Sequence, residues 1–73
     1  MAYVVYSLND FDTFETEVEA LEEFNYRLYT FQSRFGYDDV IVVHSKNENK
    51  IFLTPFNEEP IELCHFYPAK GGY

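Results

Sequence analysis

Asp10-Phe11-Asp12-Thr13-Phe14-Glu15-Thr16-Glu17-Val18-Glu19-Ala20-Leu21-Glu22-Glu23-Phe24 holds seven carboxylates and no base, and its organisation governs how the rest of the chain is read. Asp12 followed three residues later by Glu15 has the spacing of a reciprocal helix cap, with Asp in place of the usual Ser or Thr. Acids in a first turn also suit the positive end of a helix dipole. A helix is therefore expected to begin near Thr13. Phe14, Val18, Leu21, Phe24, Leu28, Phe31 and Phe35 then recur at steps of three and four, which places them on one side of a 3.6-residue helix. Gly36 is its natural terminator, since glycine takes the left-handed conformation without penalty. The helix is expected over 13–35.

On the N-terminal side, residues 2–8 are rich in β-branched and aromatic types and end at the turn-prone pair Asn9-Asp10, so they read as a strand. Beyond Gly36, residues 39–45 carry Val40-Ile41-Val42-Val43, and residues 50–56 carry Ile51-Phe52-Leu53-Thr54. The tetrad Lys46-Asn47-Glu48-Asn49 is short enough to make these two an antiparallel hairpin. Asn57-Glu58-Glu59-Pro60 is a second turn, and residues 61–67 alternate as a further strand. Residues 68–73 are expected to be a flexible tail, leaving one domain over 1–67.

The pattern predicts an α+β fold of order β-α-β-β-β, with one long helix on one face of a four-stranded, mostly antiparallel sheet. The helical connection is long enough for a right-handed parallel crossover between the first two strands, but it does not fix the strand order. The first strand and the Val40–Val43 run look apolar on both faces, and a single helix can cover only one. The other face is expected to be covered by tail and loops or to be an interface, most simply that of a symmetric homodimer.

A chain of 73 residues is one domain, and such a domain buries only about 60% of its unfolded surface. Eight Phe and seven Tyr compensate with large apolar area per side chain. Cys64 is the only cysteine, so no internal disulfide can form. The start of the chain lacks the basic flank and long apolar run of a secretion signal or membrane span. A cytoplasmic location is expected. The net charge of −8 argues against direct contact with nucleic acid or an anionic membrane, and points to a basic protein as partner.

If the helix begins at Thr13, Glu15, Glu19 and Glu22 line one face, with Glu23 on the flank and Tyr26 continuing the stripe. Their spacing, about 5–6 Å between neighbouring Cβ atoms, is of the order of the charge repeat on a nucleic-acid strand. An acidic helix face is more often simply solvated. Against that, Glu15–Glu19 and Glu19–Glu23 are repelling i, i+4 pairs, with only Arg27 placed to relieve Glu23. Glu17 falls beside the apolar stripe and reads as a rim position near free backbone amides.

Other chemistries fit less well. In a calcium loop counted from Asp10, Phe14, Glu15 and Leu21 occupy positions that need an oxygen ligand, glycine and glutamate. His44, Cys64 and His65 are the only soft ligands; Cys64 and His65 are adjacent on a strand and so face opposite ways, which prevents them from sharing an ion or forming a thiolate-imidazole pair, and no fourth ligand is evident. The clustered acids share one convex face instead of flanking a cleft, and no phosphate loop or nucleophile elbow occurs. The chain therefore reads as non-enzymatic, with no catalytic residue, metal or cofactor assigned. The leading expectation is a small acidic inhibitor of phage or mobile-element type, possessing a nucleic-acid-mimicking face. Asp10, Asp12, Glu15, Glu19, Glu22 and Glu23 would dock on a basic site of a nucleic-acid-handling protein, with Tyr26 and Tyr29 as aromatic anchors. The alternatives are a homo-oligomeric assembly protein using the second sheet face, or a small regulatory subunit.

Overall fold

The computed structural model describes residues 2–8, 10–45, 48–55 and 58–69. Its sheet contains β1 (Ala2–Ser7), β2 (Phe11–Phe14), β3 (Val40–Ser45), β4 (Glu48–Leu53) and β5 (Ile61–Ala69), and one helix, α1 (Glu17–Phe35), packs against one face. A 3-10 turn over Tyr37–Asp39 leads from α1 into β3. The strands lie in the order β2-β1-β5-β4-β3, and every neighbouring pair is antiparallel. The α+β class and the single helix on one face agree with the sequence reading, but the sheet has five strands instead of four. The parallel crossover is not used, because β1 lies between β2 and β5.

The additional strand is β2, in the segment expected to cap and start the helix. Ser7 and Asp10 exchange backbone hydrogen bonds of 2.8 and 3.4 Å, which turns the chain back on itself. Phe11–Phe14 then pair with β1 in the register Tyr6↔Phe11, Val5↔Asp12, Val4↔Thr13 and Tyr3↔Phe14. Pairing satisfies β1 backbone groups that would otherwise lack a strand on that side. Asp12 is thus a strand residue, and the cap lies four positions later in the repeat of the same motif, Thr16-x-x-Glu19. Thr16 Oγ1 accepts from the Glu19 amide at 3.2 Å, and its hydroxyl donates to Glu19 Oε1 at 3.0 Å. The far end is as expected: the Gly36 amide donates to the Gln32 carbonyl at 2.9 Å, with Gly36 at φ 99°.

The buried stripe of α1 is rotated from the expected one. Ala20, Phe24 and Arg27 are buried, with Leu21, Leu28 and Phe31 packed beside them. Val18 is 67% exposed, Phe35 is exposed at the helix end, and Phe14 packs from β2. Opposite the helix, Val5, Val40, Ile51, Leu63, Cys64 and Phe66 complete the core.

Between Ile51↔Cys64 and Phe52↔Glu62 the β4–β5 register skips Leu63. This bulge allows the consecutive residues Leu63 and Cys64 both to be buried in the core, against strict alternation. Beyond Phe66, β5 pairs only with β1, so Pro68 lies where a missing N–H leaves no β4 carbonyl unpaired. β5 thereby runs two residues into the segment expected as a tail, and residues 70–73 lie outside the described residues.

Residues apolar on both faces are central in β1, as the sequence suggested. Val5 faces the helix and Val4, on the other face, is also buried. Around Val4 lie its strand neighbour Tyr67 and the ring cluster Tyr6, His65 and Tyr67, whose centroids are 4.8–6.1 Å apart. His65 Nε2 also lies 2.6 Å from Glu48 Oε1. The centre of the second face is therefore covered by its own aromatic side chains. Among the described residues, no helix is long and apolar enough to cross a membrane.

Candidate functional site

Arg27 organises the acidic region. It is 92% withdrawn from solvent by residue area, being 8% exposed, and its guanidinium is shared among three elements. NH2 lies 2.6 Å from Asp12 Oδ2 on β2, Nε lies 2.7 Å from Glu23 Oε2 one turn earlier on α1, and NH1 donates to Ser7 Oγ on β1 at 2.9 Å. Burial alone would lower its pKa, but the hydrogen bond to Glu23 and the charges of Glu23 and Asp12 outweigh that and hold it above the ordinary value. Arg27 is thus a permanent cation that fixes the β1–β2 hairpin to α1. The buried Cys64 thiol lies close to this network: burial pushes its pKa up, while Ser7 and the Arg27 charge pull it partly back.

A cleft of about 500 Å³ opens above Arg27, between α1 and the β1–β2 turn. Leu8, Tyr26, Phe31 and Leu63 supply apolar lining, and Asp10, Asp12, Glu23 and Arg34 supply charge. Leu8 and Tyr26 are among the most exposed large apolar side chains.

The anticipated binding residues separate into two groups around Tyr26. Asp10, Asp12, Glu23 and Tyr26 line the cleft. Glu15 lies in the bend before α1, and Glu19 and Glu22 lie on the outward helix face, all three exposed. Because α1 starts at Glu17, the supposed helical repulsion between Glu15 and Glu19 does not arise. Asp12 and Glu23 are held by Arg27, so five of the seven acids in this segment, Asp10, Glu15, Glu17, Glu19 and Glu22, have no ion-pair partner among the described residues. Glu17 is the first residue of the helix and exposed, as its rim reading requires. Val18, Tyr26 and Tyr29 place exposed apolar area along the same outward side.

The pairing of Arg27 with Glu23 agrees with the sequence reading, whereas the burial of Arg27, its bonds to Asp12 and Ser7, and the place of Ser7 and Leu8 in the cleft were missed by sequence reasoning. A signal for Arg27 existed: it stands at i+7 from Ala20 and i+3 from Phe24, within the stripe that is buried. On β5, Cys64 belongs to the helix-side core while His65 joins the rings of the other face. Among the described residues no group of three His, Cys, Asp or Glu side chains is arranged to hold a metal ion. Comparison with family models, curated proteins and solved structures finds no match to this chain.

Proposed function

We propose that this protein is an acidic binding module that occupies a basic site on a nucleic-acid-handling protein and blocks it. The observation carrying this reading is that five carboxylates have no ion-pair partner among the described residues, Asp10 at the cleft and Glu15, Glu17, Glu19 and Glu22 in the first turns of α1 and the bend before it, beside exposed Val18, Tyr26 and Tyr29. Like charges crowded on one short segment weaken a fold, and interspersed lysines would relieve them at little cost. The carboxylates give steering and selectivity, and the tyrosines give the apolar contact on which affinity depends. Asp12 and Glu23 serve this surface indirectly, since Arg27 uses them to lock the hairpin against the helix. The contact set is therefore Asp10, Glu15, Glu19, Glu22 and Tyr26.

Capture from a cytoplasmic extract with the tagged chain, before and after nuclease treatment, tests the reading. The expected prey is a basic nucleic-acid-binding protein that persists after nuclease, is released by added salt, and is displaced by duplex DNA in a competition assay. The chain with Glu15→Lys and Glu22→Lys should bind that prey roughly ten- to a hundredfold more weakly. Equal binding by wild type and double mutant, or indifference to competing DNA, would end the mimic reading.

A further inference from the structure

The two edges of the sheet differ in a way that points to a second binding surface. β2 is four residues long, carries Asp12, and borders the acids at the start of α1. Short length and charge are the usual protections of a sheet edge. β3 has six residues, Val40-Ile41-Val42-Val43-His44-Ser45, with no Asp, Glu, Lys, Arg or Pro. It has the composition of an interior strand, yet it lies at the edge, with Ile41 43% and Val43 42% exposed on the face away from the helix. Among the described residues no strand pairs with its outer side.

The backbone phase of β3 limits what can pair there. The Thr54 amide donates to the Asp39 carbonyl at 2.7 Å, so Asp39 is directed to the β4 side. Alternation then directs the peptide groups of Ile41, Val43 and Ser45 toward β4 and those of Val40, Val42 and His44 outward. In an antiparallel pair of two β3 strands, these three residues must meet their equivalents. Opposed residues then share a face, and the two helices lie on the same side of a continuous ten-stranded sheet. Centred on Val42, such a pair sets Ile41 against Val43 of the second copy.

Charge limits where a second copy can sit. Two chains of net charge −8 repel overall and associate most readily where the acids of one are remote from those of the other. Two residues separate β2 from α1 and four separate α1 from β3, so the acidic start of α1 lies at the β2 edge, about four strand spacings or ~19 Å from β3. Asp38 and Asp39 of the two copies would stand at opposite ends of the junction, with Asp39 facing Ser45 across it. We infer that β3 is a self-association edge, through which two copies of this chain pair antiparallel into one sheet, leaving both acidic faces free at its outer ends. This inference is independent of the partner proposed above.

Light scattering and sedimentation equilibrium on the untagged chain, over a range of concentration and salt, test it. A dimer is expected that tightens as salt screens the net charge, the opposite of the trend for a basic partner. The amides of Val40, Val42 and His44 should exchange with deuterium more slowly as the dimer fills. Val43→Lys, at an exposed position where a folded monomer tolerates lysine, should weaken the dimer roughly tenfold. Its circular dichroism should remain that of wild type, and Glu15→Lys with Glu22→Lys should still dimerise. A chain that remains monomeric at every concentration overturns the inference, as does a dimer whose three amides exchange freely or which Val43→Lys leaves intact.

Discussion

Arg27 shows how one side chain can join three elements that local sequence rules treat separately. Removing it leaves Asp12 and Glu23 facing each other without a cation, Ser7 without its donor, and a void beneath the cleft. Asp12 and Glu23 keep 55% and 31% side-chain exposure, so both can rehydrate, and the loss is smaller than for a fully enclosed ion pair. Arg27→Ala should therefore cost about 2 kcal/mol in urea unfolding. Asp12→Asn should cost less than half as much, because Glu23 remains.

Cys64 adds a pH dependence at the same scale. Burial raises its pKa above the ordinary 9.0, and burial followed by the charge of Glu62 raises that of Tyr6 above 10.0. Groups whose folded pKa is raised contribute stability in full below their unfolded pKa and lose it as pH rises toward the folded value. Stability should thus decline above about pH 9, where the unfolded chain ionises the thiol and the folded chain does not. Cys64→Ala should be less stable at pH 7 because it leaves a small cavity, yet its stability should fall less steeply between pH 8 and 10.5, measured by chemical denaturation at each pH.

At the scale of elements, the start of α1 depends on Thr16, whose hydroxyl oxygen receives the Glu19 amide. Thr16→Ala should destabilise the fold by about 1 kcal/mol, whereas Asp12→Ala should show no loss of helix cap in amide exchange at Glu19. That contrast separates the observed cap from the one first expected. The elements legible in sequence were those whose signals are local and repeated: the β-branched run of β3, the β3–β4 hairpin, and the Gly36 stop. β2 was hidden because four residues cannot display a two-residue period, and because Asp12-x-x-Glu15 imitates the cap found at Thr16-x-x-Glu19. The burial of Arg27 was hidden because two of its three partners lie 15 and 20 residues away, a distance that helical periodicity does not sample. The same nonlocality concealed the bulge at Leu63, which shows only when β4 is laid against β5. The acidic segment itself was evident, but its division into a clamped pair and five acids without an ion-pair partner among the described residues required the fold.

For the whole molecule, the unequal distribution of charge connects stability to the proposed binding. Thirteen acids against five bases make the native state self-repelling, most strongly where Glu15, Glu17, Glu19 and Glu22 gather in the first turns of α1 and the bend before it. Added salt should therefore raise the melting temperature, and changing Glu15 and Glu22 to lysine should raise it further at low salt while reducing the increment that salt provides. Neither side chain makes a hydrogen bond among the described residues, and Glu22 lies beyond the first helical turn, so the change sacrifices no cap. The expected gain is about 0.5–1 kcal/mol, read from urea unfolding at low ionic strength. A surface kept acidic for a basic partner predicts opposite movements in one variant, with the isolated chain more stable and the captured complex weaker. Were the acids only a solvated face, the same variant would gain stability without losing any partner. Comparing the unfolding midpoint and the capture of a single double mutant thus distinguishes a surface maintained for binding from one that is merely acidic.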